Sequence, residues 1–207
     1  MRVDIWSDLV CPWCYLGKRR FEKALSTFPG RDRVEVVHRS FQLDPSMPKG
    51  QSTRAREMLM RKYRMTEEQV VASQARLEQL AAAESLEYHL GDSQTGNTMD
   101  AHRLVHLGRE QGIQDAVIER LFHAHFTENR SLFDRDSLAA LGTGAGLREV
   151  EALLVGNRYE GDVIADHQQA HALGARGVPF FVIDGRFSVS GAQAVEVFSD
   201  AFRASSA

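Results

Sequence analysis

The chain has two cysteines, Cys11 and Cys14, and they stand as Cys-Pro-Trp-Cys between an apolar run and a helical pattern. Val3, Ile5, Leu9 and Val10 predict a strand and its exit. Tyr15, Leu16, Phe21 and Leu25 recur at helical spacing after the motif. A strand that runs into Cys-x-x-Cys and then into a helix is the context that makes this motif a redox candidate.

The spacing suits thiol chemistry. A helix N-terminus offers unpaired N–H groups and the positive end of the dipole, so it stabilises a thiolate at Cys11. The thiolate is the reactive form. Cys11 would attack a substrate disulfide, and Cys14 would resolve the mixed disulfide. Pro12 and Trp13 bring no positive charge, so the stabilisation is smaller than a histidine between the cysteines would give. A structural disulfide here would close only a short loop and stabilise little. A structural zinc needs about four ligands, and there is no second cysteine pair to supply them.

The histidines do not fill that gap. His102 and His106, and His167 and His171, are helix neighbours, but no acidic residue completes a His-Glu-x-x-His pattern. They are expected to be solvated or to bond between helices, so no metal site is expected.

A second signal lies far downstream. Gly177 to Gly185 gives a turn, a proline and a strand, with Pro179 at the strand's start, where proline is tolerated. Phe187 to Ser190 predicts the paired strand of a hairpin across Asp184-Gly185. Gly191-Ala192-Gln193 is expected to open a final helix through Phe202.

Together the two ends resemble the DsbA-like thioredoxin-fold proteins. The matching residues are Cys11-Pro12-Trp13-Cys14-Tyr15-Leu16-Gly17 and Val178-Pro179-Phe180-Phe181, with Asn97-Thr98 and Ala101-His102-Arg103-Leu104 between them. The resemblance is to the FrnE-type branch, near the 2-hydroxychromene-2-carboxylate isomerases and kappa-class glutathione transferases. It implies an α/β thioredoxin-like fold with an inserted all-α domain. Residues 1–44 and 161–207 would form the thioredoxin-like part and residues 45–160 the insertion. It also implies Cys11 as nucleophile, Cys14 as resolving thiol and a cis bond before Pro179 adjacent to Cys11. Val178 would offer its backbone to an extended substrate, and Trp13 would line the same surface. The isomerases and kappa transferases usually carry serine where this chain has Cys11, and they use glutathione. Two cysteines argue for dithiol–disulfide exchange instead.

The bulk properties narrow the class. At 207 residues, one domain or one domain with an insertion is expected. A net charge of −3 offers nothing for nucleic acid. The start lacks the apolar core of a signal peptide, and no run approaches the roughly 20 residues needed to span a bilayer. The chain is therefore expected to be cytoplasmic, where disulfides are mostly transient and catalytic.

Within the insertion, residues 52–63 are helical in type and residues 91–96 look like a loop. Thr66 and Gln69 have capping-box spacing ahead of the next helix. Asn97 stands where it would cap another helix. Asn97 and His102 would either line a cleft facing Cys11 or only cap and pack the insertion.

Two acids precede the motif. Asp4, on the first strand, is a candidate for a buried carboxyl of raised pKa that takes the Cys14 proton. Asp8 is expected to be a solvated loop residue, or a charge that opposes thiolate formation.

Three functions follow. The first is a thiol–disulfide oxidoreductase acting on a protein or small molecule, with no bound cofactor and glutathione as a candidate co-substrate. The second is a glutathione-dependent isomerase or transferase, in which Gly191 and Gln193 at the last helix would bind the glutathione carboxylate. The third is a peptide-binding holdase that uses the apolar surface around Trp13 and Val178. Exposed helical faces leave room for a homodimer.

Overall fold

The computed structural model describes residues 1–206. Ala207, the end of the expected 161–207 segment, lies outside the described residues. The chain divides into two compact units, Met1–Leu43 with the segment from Asp162 onward, and Asp44–Gly161.

The first unit is built on a four-stranded sheet. β1 (Arg2–Ser7) pairs in parallel with β2 (Glu35–Ser40). A parallel neighbour needs a crossover, and α1 (Pro12–Ser26) supplies it. β5 (Phe180–Ile183) lies antiparallel to the other side of β1 and forms a hairpin with β6 (Phe187–Ser190). The spatial order is β2-β1-β5-β6, so β1 and β5 are central.

Strand alternation divides the apolar residues between two layers. Val3, Ile5, Phe181 and Ile183 pack with Phe21 of α1 and with Phe198 and Phe202 of α9 (Val195–Ser206). Phe181 stacks 5.6 Å from Phe21 and meets Phe198 edge-on at 4.7 Å. Trp6, Phe180 and Val182 face the other way, against Phe41 and Ala170. Ala170 belongs to α8 (Glu160–Ala172), and Trp6 donates its indole N–H to the Asp166 carbonyl at 2.8 Å. The unbroken run Phe180–Ile183 is buried on both faces, as a central strand requires.

The second unit is mainly helical. It holds α2 (Ala55–Tyr63), α3 (Glu67–Ala83), α4 (Met99–Glu110), α5 (Gln114–Phe126), α6 (Arg135–Gly144) and α7 (Val150–Val155). Thr66 and Gln69 form a complete capping box at the start of α3. The buried Arg103 ties α4 to the segment around α7, donating to the carbonyls of Leu153, Gly156 and Arg158 and pairing with Asp100.

Three local expectations shift. Ser52–Arg54 and Gln94–Gly96 form a two-stranded antiparallel ribbon, β3 and β4. The helix expected from Ser52 therefore starts at Ala55, and part of the expected loop is strand. The last helix begins at Val195 rather than at Gly191, because residues 191–193 form a turn with Gly191 at φ +80°.

Candidate functional site

The register of the sheet builds the site. Trp6 of β1 sits opposite Phe180 of β5. The loop leaving β1, which carries the cysteines, therefore comes out beside Pro179 at the entry to β5. The Cys11 sulfur lies 3.7 Å from the Val178 carbonyl, within reach of a thiol hydrogen bond, and the Val178–Pro179 peptide is cis.

Cys11 is the N-cap residue of α1, with Pro12 in the first turn. Proline's fixed φ and missing N–H suit that position. No side chain caps the helix among the described residues, and the first turn carries no acid, so the positive helix end is left to Cys11. Both cysteines are free thiols, Cys11 6% exposed and Cys14 fully buried. Burial, above all, pushes the Cys14 thiol well above its ordinary value. The hydrogen bond and charge of the Cys11 sulfur add to that, as does the charge of Asp8, while a backbone N–H from Asp8 partly offsets them.

Asp8 is not a solvated loop residue. It is 1% exposed, its carbonyl accepts the Cys11 N–H at 3.0 Å, and its Oδ2 accepts the Leu43 N–H at 2.7 Å. That last bond is one of four that fix the exit of β2. Ser40 N–H donates to Asp166 Oδ2, Phe41 N–H to the Ser7 carbonyl and Gln42 N–H to His167 Nδ1. The chain leaving β2 is thus held alternately by α8 and by the end of β1 with the loop that follows it.

Asp4 departs from its expected role. Burial raises its pKa, but hydrogen bonds and charge from Arg2 and Arg39 outweigh that and hold the carboxyl below the usual range. Arg39 Nε stands 2.8 Å and Arg2 Nε 3.0 Å from its oxygens. A carboxylate locked between two guanidiniums is a poor acceptor for a thiol proton.

The remaining candidates fall in different places. Trp13, 44% exposed, and Leu43, also exposed, are apolar surface on the first unit. Gly191 donates its N–H to the Pro179 carbonyl at 2.8 Å, Gln193 donates its N–H to the Gly191 carbonyl, and the Gln193 amide donates to the Ser190 carbonyl. Those N–H groups are committed within the turn, and no helix starts there to present them to a glutathione carboxylate. Asn97 and His102 belong to the second unit. Asn97 accepts the Met99 N–H at 2.9 Å and donates to the Met47 carbonyl, and His102 is buried on α4.

Of the two expectations for Asp8, the solvated loop residue fails and the charge that opposes ionisation holds, at Cys14. Its burial carried no signal in the sequence, since a short loop has no periodicity that reports it. Gly17 did carry one, a lone glycine inside a helical pattern. A Cβ there would stand 2.8 Å from Pro179 Cγ. A cavity of about 600 Å3 lies at the C-terminal end of α1, lined by Phe28, Arg33 and Phe202 among others, and none of its lining residues belongs to the cysteine site. Among the described residues no group of three or more His, Cys, Asp or Glu side chains is placed to hold a metal, and no helix is long and apolar enough to cross a membrane.

Comparison with known proteins agrees with this geometry. The model of the DSBA-like thioredoxin domain matches residues 2–203. The crystal structure of a probable DsbA oxidoreductase from Streptomyces coelicolor is 49% identical, with a TM-score of 0.96 over 99% of this chain and 89% of that one. Two other structures share the fold. A 2-hydroxychromene-2-carboxylate isomerase is 15% identical, with a TM-score of 0.76 over 99% of this chain and 95% of that one. The cytosolic disulfide reductase DsbM from Pseudomonas aeruginosa is 17% identical, with a TM-score of 0.67 over 99% of this chain and 98% of that one.

Proposed function

Because the chain belongs to the DSBA-like thioredoxin domain family, we propose that it is a thiol–disulfide oxidoreductase working through Cys11 and Cys14. One observation carries this reading. A nearly buried thiol at an uncapped helix N-terminus lies against the Val178 carbonyl, with a second, fully buried thiol one turn behind it.

The chemistry runs in two balanced steps. The Cys11 thiolate attacks one sulfur of a substrate disulfide. The Cys11–substrate S–S bond forms, the substrate's own S–S bond breaks, and the departing thiolate takes a proton from solvent. Cys14 then passes its proton to the Asp8 carboxylate and attacks the Cys11 sulfur. The Cys11–Cys14 bond forms, the second substrate thiolate leaves, and two electrons have passed from the protein's dithiol to the substrate. Transfer to Asp8 replaces one buried negative charge with another, which avoids the cost of creating a new one. Run in reverse, the same pair donates a disulfide.

Substrate would lie as an extended segment along Val178, against Trp13 and Leu43. With no cysteine outside the pair, the reading places the work in a reducing, cytoplasmic setting, with glutathione as the resetting thiol.

A redox titration in glutathione buffers, following free thiols and tryptophan fluorescence, tests the proposal. A single two-electron transition within about −270 to −120 mV, the span of known thiol oxidoreductases, is the expected result. A stable glutathione adduct on Cys11 with no Cys11–Cys14 disulfide would overturn it.

A further inference from the structure

Gly17 lies inside α1, where glycine is less favourable than alanine. What stands over it accounts for its presence. A Cβ on Gly17 would meet Pro179 Cγ at 2.8 Å and Ala192 Cα at 3.4 Å. The Ala192 contact is ordinary packing, so the clash is with the Pro179 ring, which can yield only as far as a change of pucker carries its Cγ.

Pro179 is held from its far side as well. Gly191 N–H donates to its carbonyl at 2.8 Å. One turn along α1, Arg20 Nη1 donates to the Ala192 carbonyl at 2.8 Å. The helix that carries Cys11 at its N-terminus is therefore seated directly on Pro179 and on the turn behind it. A helix is stiff over the roughly 9 Å between Cys11 and Gly17, so the approach at Gly17 fixes the separation at Cys11.

We propose that Gly17 is a positioning residue for disulfide exchange: by lacking a side chain it lets α1 close on Pro179 and sets the Val178 carbonyl at the Cys11 sulfur. This rests on the reading of Val178–Pro179 as the segment that holds substrate. An alanine at position 17 has to open the contact by about 0.6 Å to reach ordinary packing at 3.4 Å. Misplacement approaching 1 Å costs about a hundredfold in a reaction that depends on alignment.

The test compares wild type, Gly17→Ala and Gly144→Ala. Gly144 is also helical, and a Cβ there meets nothing within 4 Å, so it controls for a helical glycine-to-alanine change without a clash. Two rates are read on each protein. Alkylation of Cys11 by iodoacetamide needs no substrate-holding segment, whereas kcat/KM with a glutathionylated peptide does. Gly17→Ala is expected to lower kcat/KM by about 10- to 100-fold and to leave alkylation within about threefold, with Gly144→Ala changing neither. A Pro179→Ala background removes the ring atom that clashes, and there Gly17→Ala is expected to add less than about twofold.

Unchanged exchange in Gly17→Ala, equal losses in both rates, or additive losses with Pro179→Ala would each overturn the inference. Should Gly17→Ala fail to fold, the pair Pro179→Ala and Gly17→Ala/Pro179→Ala carries the test. The double variant should fold and exchange like its parent, and failure to do so overturns the contact. Absence of exchange in the wild type is a different result, because it overturns the functional reading itself.

Discussion

Asp8 acts on the Cys14 thiol in two opposite directions: a hydrogen bond from its backbone N–H favours ionisation, while the charge of its buried side chain opposes it. That makes Asp8 the group through which the resolving step can be changed without touching either cysteine.

Asp8→Asn keeps the backbone contact and removes the charge. Cys14 should then ionise at lower pH, because the opposing charge is gone. Yet conversion of the Cys11 mixed disulfide into Cys11–Cys14 should slow by about 10²-fold, the typical contribution of a positioned base. Stopped-flow fluorescence of the second step, with a pH profile of Cys14 alkylation, reads both. Faster resolution in the variant would show that Asp8 acts only as a charge and accepts no proton.

The raised Cys14 pKa also ties stability to pH. The thiol is held protonated in the fold, whereas in the unfolded chain it ionises near its ordinary value of 9.0. Above that pH the unfolded state gives up a proton that the folded state keeps, so the reduced protein loses stability as pH rises past about 9. Cys14→Ala should remove this alkaline slope. Urea unfolding of both proteins under reducing conditions between about pH 7 and pH 10 checks it.

Features that depend on neighbours in the chain were legible in the sequence, and features that depend on distant partners were not. The Thr66–Gln69 box is set by four consecutive residues, and it forms as expected. The thioredoxin-like fold was legible for a similar reason, since the strand–motif–helix pattern and the distal hairpin each carry local signals. The β3–β4 ribbon was not, because its strands are three residues long and lie 40 positions apart, too short for any alternation to show. The charge state of Asp4 was hidden as well. It is decided by Arg39, on the neighbouring strand, together with Arg2. The helix expected at Gly191 gave way to a turn because Gly191 takes a left-handed φ of +80°, which a right-handed helix excludes.

Arg103 offers a test of the second unit. Its guanidinium is 1% exposed and serves three backbone carbonyls and Asp100. Arg103→Met keeps much of the volume but leaves those carbonyls without their donor. Loss of one partner from such a buried cluster costs about 3–5 kcal/mol. Chemical denaturation should show the midpoint falling accordingly. A change below about 1 kcal/mol would mean that water replaces the guanidinium at little cost.

Asp4 gives the acid counterpart of the Cys14 slope. Arg2 and Arg39 hold its folded pKa below the ordinary 3.8, so the unfolded chain takes up a proton there first as pH falls. The stability it contributes is therefore complete above about pH 5 and drains away as pH drops through 3.8 towards the folded value. Asp4→Asn should cost about 1.5–3 kcal/mol at neutral pH, the usual range for a hydrogen bond to a charged group. Arg39 keeps its second partner, Asp166, at 3.0 Å, which should hold the loss towards the lower end. The variant should also show a shallower fall in stability between about pH 5 and pH 3 than wild type. Redox exchange at pH 7 should stay within about twofold, because the carboxylate is committed to the two arginines and takes no proton from Cys14. A large loss of exchange with intact stability would return Asp4 to the proton path.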